Sequence, residues 1–423
     1  MSALLLIVLG LLALWGTPLF VILGAVSLYL FSRVDIPAAA VIIEMYRLTS
    51  SPLLVTIPLF TFTGYLLAAS RAPQRIIALT RPLCGWMPGG LAVVTLLSCA
   101  FFTAFTGASG VTIIALGGLL YPILRQEQYA EQFSLGLLTT SGSLGLLFPP
   151  SLPLILYGLV AKVSVDQLFL AGIIPGSLLL LLLAGYGSYT TTKHAVPRYA
   201  LDLRAFGKAA WEAKWEVPLP FLILIGIYGG LVTVSEAAAI AAFYVLVVEA
   251  LIHREVHFIR DIPRLMQESM TLVGGILIIL GMALGLTNFL IDAQVPMRLF
   301  ALMQGYITSR AVFLLMLNAF LLVVGALLDI FSAIIVVVPL ILPIAQQFHI
   351  DPVHLGIIFL TNLEIGYFTP PVGINLFIGS LTFERPVLHL YRATLPFLLV
   401  YLIALLLITY VPGLSLGLLG LLD

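Results

Sequence analysis

Charge is the scarcest commodity in this chain. Only 9% of its 423 residues are Asp, Glu, Lys or Arg, with 19 acidic against 19 basic, so the net charge is zero. A chain with no basic surplus lacks the electrostatic footprint of a nucleic-acid-binding protein. Cysteine is almost missing too. Cys84 and Cys99 both fall in or beside apolar segments and give neither a disulfide framework nor a metal-ligand spacing. The six histidines (His194, His253, His257, His349, His354 and His389) lie in loops or at the ends of apolar runs, which argues against a central histidine proton relay. A signal-peptide pattern is absent: Ala3 to Phe31 is apolar throughout, without a charged leader or cleavage region, and is expected to stay as an anchor.

What is abundant is apolar length. The chain is 61% hydrophobic, with a mean hydropathy of +1.16, more apolar surface than a soluble domain can hide. An all-α polytopic membrane protein follows. Residues 1–52 read as an anchor, one span or two split at Gly16-Thr17-Pro18, followed by an interfacial stretch from Ser32 to Ser51. A first unit, 53–190, holds a span at 53–70, a less apolar arm at 72–90, an apolar run at 91–124, a proline-broken span at 132–160 and a span at 168–190. As one helix, 91–124 would measure roughly 51 Å at ~1.5 Å per residue, too long for a ~30 Å core. Its small-residue centre, Thr106-Gly107-Ala108-Ser109-Gly110, predicts a re-entrant hairpin instead. Residues 191–269 form a polar connector (191–216), two spans at 217–232 and 236–252, and a charged segment, His253–Glu268. A second unit, 270–423, has a span at 270–291, an arm at 296–310, a hairpin at 313–346 interrupted at Gly325–Asp329, a broken span at 352–380 and a last span at 395–421.

The two units are copies. At an offset of 221 residues Gly64 pairs with Gly285, Pro122 with Pro343, Thr140 with Thr361, Gly145 with Gly366, Gly158 with Gly379 and Pro175 with Pro396. The pair Pro149-Pro150 meets Pro370-Pro371 at the same offset. Each Pro-Pro must break its helix, because proline lacks an N–H and clashes with the preceding turn. Inside hydrocarbon the freed backbone groups survive only when buried in protein or lining a cavity. Matched broken helices in two halves point to a transport site. If the connector is cytoplasmic, alternation places 14 basic residues inside and 5 outside, the bias expected of a correctly oriented bundle. The two hairpins then enter from opposite faces, and the repeats are inverted.

Two hairpin tips and two breaks should converge. A broken helix offers carbonyls to a cation and amides to an anion. The expected cation ligands are Gly145, Phe148 and Pro150 at the first break, with Thr106 and Ser109 from the facing tip. At the second break they are Gly366, Thr369 and Val372, with Asp329 from the other tip. Such an oxygen-only set suits a hard cation such as Na⁺. An anionic substrate would rely on helix N-termini with Ser141, Ser143, Asn362 and Asn375, since no Lys or Arg is expected near the midplane. Asp329 and Glu364 are acidic at membrane depth and costly there; for Glu364 a structural role and a direct one both stay open. Gly107-Ala108-Ser109-Gly110 also fits the G-x-S-G pattern of intramembrane serine proteases, but no mid-membrane histidine is available to activate the serine.

These residues resemble the large membrane subunit of tripartite ATP-independent periplasmic (TRAP) transporters over essentially the whole chain. The resemblance is carried by Ile57-Pro58-Leu59-Phe60 with Gly64, the tip Thr106–Gly110, Gly145 to Pro150, Asp329, and Glu364-Ile365-Gly366 through Thr369-Pro370-Pro371-Val372-Gly373-Ile374-Asn375-Leu376-Phe377. It implies a Na⁺-driven importer of organic acids in the bacterial inner membrane, with two Na⁺ sites at the tips and breaks. It also implies an elevator-type mechanism, a separate small membrane subunit and a periplasmic binding protein that delivers substrate. One departure matters: Ala108 stands where the second copy has Asp329, so the two cation sites should differ. A self-sufficient ion-coupled carboxylate symporter is the alternative.

Overall fold

The computed structural model describes residue 12 and residues 17–421, except 35–36, 38, 50, 194–201, 305–306 and 308. Among these residues every regular element is a helix. Seven of the described helices are long and apolar enough to cross a membrane, eight if the bent pair Glu131–Leu147 with Leu152–Ala161 is one span. At the N-terminal side a helix, Leu19–Ser32, starts directly after Pro18. The question of one span or two over 3–31 rests on residues 3–11 and 13–16, which lie outside the described residues.

The first long apolar run folds as a hairpin. Gly90–Thr106 is its first arm; Gly107, in the left-handed region at φ +61°, and extended Ala108 turn the chain. The return arm comprises Ser109–Thr112, a π-helical turn at Ile113–Gly117, and Gly118–Gln126. The second hairpin is Arg310–Leu327 and Ile330–Gln347, turning at Leu328-Asp329. The first broken helix stops at Ser141, passes through a 3₁₀ turn at Leu144–Leu147 and resumes at Leu152–Ala161. The second stops at Gly366 and resumes at Ile374–Phe383. Both Pro-Pro bonds, Pro149-Pro150 and Pro370-Pro371, are cis.

Close approaches recur at the 221-residue offset. A Cβ on Gly145 would lie 2.6 Å from the Ala104 nitrogen, and one on Gly366 would lie 2.2 Å from the Gly325 carbonyl carbon. Ala104 and Gly325 are themselves offset partners. In both halves, then, a hairpin arm meets a helix break backbone to backbone, and only glycine fits at the break. The two broken helices run antiparallel. Glu131, at the start of the first, pairs with Arg385 just beyond the second at 2.6 Å. At the other end the Tyr157 hydroxyl donates to the Pro352 carbonyl at 2.7 Å.

Ion pairs tie one end of the bundle together. From the arm helix Ala72–Cys84, Arg75 reaches Glu216 at 2.6 Å, Glu249 at 3.1 Å and Glu255 at 2.7 Å, while Arg81 reaches Glu127 at 2.9 Å. Burial pulls the Arg75 pKa down, but the three carboxylates outweigh it and hold the guanidinium above its ordinary range.

Some boundaries differ from the sequence reading. The connector holds a helix, Leu203–Glu212, capped by Asp202, whose Oδ1 accepts from the Arg204 and Ala205 N–H groups. The span expected at 270–291 begins earlier, as one helix Asp261–Asp292. Its first turns carry the exposed Arg264–Glu268 pair at 3.7 Å, an i,i+4 contact that adds modestly to helix stability. The last span starts at Val387, not at 395.

Candidate functional site

The tips and breaks meet through a chain of hydrogen bonds. At the first tip the Ser109 hydroxyl donates to Asn375 Oδ1 at 2.7 Å, joining hairpin 1 to the second broken helix. Asn375 Nδ2 donates to the Thr139 carbonyl of the first broken helix at 3.3 Å. The Asn375 backbone N–H donates to the Tyr367 carbonyl at 2.9 Å, closing the second break. The Tyr367 hydroxyl in turn accepts from the Ile330 N–H at 2.9 Å, which ties that break to the second tip. The Gly373 N–H also reaches the Ala326 carbonyl of that tip at 3.3 Å. A parallel link, from the Thr103 hydroxyl to the Gly142 carbonyl at 2.8 Å, fastens hairpin 1 to the first break.

The cation candidates fall into two groups. Around the first break Gly145, Pro150, Thr106 and Ser109 are buried, with Phe148 partly exposed. The Gly145 carbonyl accepts from the Phe148 N–H at 3.1 Å, and the Gly366 carbonyl accepts from the Thr369 N–H at the same distance. Each carbonyl therefore keeps a lone pair. The Thr369 hydroxyl donates to the Ile365 carbonyl at 2.6 Å, again leaving its oxygen free to accept. Asp329, half-buried, caps the return arm of its hairpin: Oδ1 accepts from the Phe331 and Ser332 N–H groups at 3.0 Å each, and Oδ2 from the Ser332 hydroxyl. Pro370, Pro371 and Val372 are exposed, whereas Pro149 and Pro150 are buried. The second break is the open one.

The polar candidates separate. Asn375 sits at the junction just described. Ser141 and Ser143 are fully buried and donate back to the Leu138 and Thr140 carbonyls of their own helix. Asn362 turns toward the first arm of hairpin 2, where its Nδ2 donates to Asn318 Oδ1 at 2.8 Å. That contact belongs to a buried network in which Asn318 Nδ2 donates to the Thr409 hydroxyl and His354 lies against the Thr409 carbonyl and Ser415. Sequence reasoning missed Asn318, Tyr367 and Thr103; a lone Asn inside an apolar run was the available signal for the first. Glu364 is fully buried, and neither carboxyl oxygen has a hydrogen-bond partner among the described residues.

Hydroxyls, carbonyls and amides gathered around two helix breaks are the arrangement by which secondary transporters form their sites. Residues 4–414 match the family described as "Tripartite ATP-independent periplasmic transporter, DctM component". The chain belongs to this family. It is 34% identical to a C4-dicarboxylate TRAP transporter large permease protein of Pseudomonas aeruginosa, covering 93% of this chain and 92% of that protein. A Rhodobacter capsulatus large permease is 32% identical over 99% of both chains. An isethionate TRAP permease of Oleidesulfovibrio alaskensis is 35% identical over 85% of this chain, which spans only 57% of that longer protein. Among solved structures, the Alcanivorax borkumensis YdaH transporter shares the fold, with a TM-score of 0.59 at 14% identity over 89% of this chain and 88% of that one. As a TRAP large permease the chain is a multi-pass protein of the bacterial inner membrane. Its relatives are permease subunits and not enzymes, which removes the protease reading of Gly107–Gly110.

Proposed function

We propose that this TRAP large permease imports an organic acid, a C4-dicarboxylate, sugar acid or similar carboxylate, driven by Na⁺ and delivered by a periplasmic binding protein. The carrying observation is the hydrogen-bonded junction of Ser109, Asn375, Tyr367 and Ile330, which links two hairpin tips, the second break and the first broken helix. Relatives named for C4-dicarboxylates, isethionate and ectoine support a small polar or anionic substrate. The donor chemistry suits Na⁺: carbonyls of Gly145 and Gly366 with a spare lone pair, hydroxyls of Thr106, Ser109 and Thr369, and the Asp329 carboxylate, with oxygen in every case. Two such sites, unequal because Ala108 replaces the acidic residue, would flank a substrate held by Asn375 and the helix N-termini after each break.

The antiparallel broken helices and reciprocal glycine contacts support an inverted pair of repeats. In the proposed elevator cycle the hairpins and broken helices move as one block, a reading supported by the hydrogen bonds that tie each hairpin to a broken helix. A small membrane subunit completes the scaffold. The test is uptake into proteoliposomes of this chain with its small subunit, across a panel of labelled acids, with and without the binding protein and a Na⁺ gradient. Uptake should require both. Undiminished uptake by this chain alone would favour the self-sufficient symporter, and Na⁺-independent uptake would remove the coupling.

A further inference from the structure

A cavity of about 160 Å³ lies where three helices from distant parts of the chain meet. Lys162 reaches it from the end of the first broken helix, and Pro339 and Pro343 from the return arm of hairpin 2. The third wall is the span Asp261–Asp292. That span packs against Leu19–Ser32 and Pro52–Ala69, outside the framework of hairpins and breaks. The cavity therefore lies on the seam between this framework and the spans around it.

The seam is apolar except at one end. Along the third wall Leu280, Leu284 and Thr287 follow i, i+4, i+7 spacing and share one helix face, with Asn288 beside them. Thr287 and Asn288 are partly buried, and Lys162 closes the facing helix in the left-handed region at φ +55°. None of the three side chains makes a hydrogen bond or ion pair with another described residue. Asparagine and threonine within a membrane bundle ordinarily hydrogen-bond across helices. Here they are left over, and so is the cation they meet. A lysine at a helix C-terminus is by itself explained by the helix dipole. Its meeting with two uncommitted donors from another helix is not.

The charge in the cavity is of one sign. Lys162 is the one charged side chain among the residues that line it. Asp292, one turn past Asn288, is exposed and outside the lining, and Asp166 accepts from the Ser164 hydroxyl. An ammonium, a carboxamide N–H and a hydroxyl are three donors, a set that matches a carboxylate. The space equals roughly five water molecules at about 30 Å³ each, room for an acid of a few carbons. On the hairpin wall Pro339 and Pro343 have no N–H to give the Ile335 and Pro339 carbonyls, which leaves acceptors for hydroxyl groups or water.

We propose that this cavity is an outer subsite for a carboxylate group of the imported acid, an inference that rests on the function proposed above. Lys162 is among the five basic residues that alternation places outside, so the subsite lies on the periplasmic side. Its walls belong to both sides of the seam. Displacement of the framework against the surrounding spans would part Lys162 from Asn288, so the acid is held there in one state of the cycle and released in the other.

The test uses spheroplasts carrying the full chain with its small subunit, with Cys84→Ser, Cys99→Ser and, on the cavity wall, Leu284→Cys. Anionic sulfonatoethyl methanethiosulfonate, added outside, should modify the thiol at position 284 several-fold faster than its cationic trimethylammonium counterpart. Lys162→Gln should remove that preference and leave the rate with a neutral methanethiosulfonate unchanged, which shows the cavity intact. At least one of succinate, gluconate and acetate, at millimolar concentration, should slow the modification. That slowing should be lost in Lys162→Gln and in Thr287→Val combined with Asn288→Leu. Equal rates for the two charged reagents, a thiol that does not react from outside, or no protection by any of the acids would overturn the proposal. So would protection by phosphatidylglycerol alone, which would give the donors to a lipid headgroup. Uptake by the same spheroplasts with added binding protein separates the two readings. Uptake that needs neither Na⁺ nor binding protein counts against the proposed function, whereas charge-blind labelling beside normal uptake defeats the subsite alone.

Discussion

The Ser109 hydroxyl and the Asn375 carboxamide oxygen lie 2.7 Å apart although 266 positions separate them in sequence. One residue opens the return arm of hairpin 1 and the other follows the second Pro-Pro break, so a single hydrogen bond crosses between the two copies. Asn375 is also bonded to Thr139, which makes it the residue through which both broken helices and the first tip are held in register.

Ser109→Ala should weaken transport and stability together. It leaves Asn375 Oδ1 buried without its donor, a cost of about 1–3 kcal/mol. Combined with Asn375→Leu, the loss should be clearly less than additive, since directly bonded residues couple. Uptake rates and unfolding midpoints of the two single variants and the double variant would measure this. Strictly additive losses would mean that the bond does not organise the junction.

Gly366→Ala should be far more damaging than an alanine elsewhere on the same framework. The added Cβ would fall 2.2 Å from the Gly325 carbonyl carbon, a backbone atom that cannot rotate away. Overpacking of this kind costs about 1–3 kcal/mol or more. At Gly118 nothing lies within 4 Å, so Gly118→Ala should be neutral or slightly stabilising. Thermal unfolding of the purified variants would compare them; equal midpoints would refute the close-packing argument.

The helical, membrane-spanning class was legible from apolar length alone, and the Pro-Pro pairs mark where two of the helices stop. The turns at Gly107-Ala108 and Leu328-Asp329 fall where small or polar residues interrupt a long apolar run. What stayed hidden is long-range. Arg75 meets Glu249 and Glu255 across 174 and 180 positions, and no local periodicity encodes such pairings. Asn362 was read as facing a solute, yet it turns toward Asn318, because which side of a uniformly apolar helix faces which neighbour is decided by packing. The connector helix Leu203–Glu212 was missed for another reason: a short amphipathic helix has no long apolar run to announce it.

Arg75→Ala should loosen one end of the bundle. Its side chain is 11% exposed, and the Glu216 and Glu249 side chains it pairs with are 1% and 0% exposed. Removing the cation strands buried carboxylates, at about 3–5 kcal/mol. Arg75→Lys should recover only part of this, because an ammonium cannot reproduce the guanidinium fork that reaches three partners. Unfolding midpoints of both variants provide the check; an unshifted midpoint in Arg75→Ala would show the cluster to be dispensable.

Asp329→Asn separates the two roles this residue can play. The structure shows Asp329 as a helix cap, with Oδ1 accepting from the Phe331 and Ser332 N–H groups. Asparagine caps about as well as aspartate, so the hairpin should keep its shape and the unfolding midpoint should hardly move. Only the negative charge is lost. If Asp329 helps to hold the coupling ion opposite the second break, that loss should cost roughly 1.5–3 kcal/mol, which is on the order of tenfold to a hundredfold in apparent Na⁺ affinity. Asp329→Ala removes the cap as well and should add about 1 kcal/mol of instability. Glu364→Gln, at a carboxyl with no hydrogen-bond partner among the described residues, should leave half-saturating Na⁺ much closer to wild type. Uptake measured against Na⁺ concentration for the three variants distinguishes the roles. Unchanged half-saturation and Na⁺ stoichiometry in Asp329→Asn would leave the residue a cap alone and move the second cation site elsewhere.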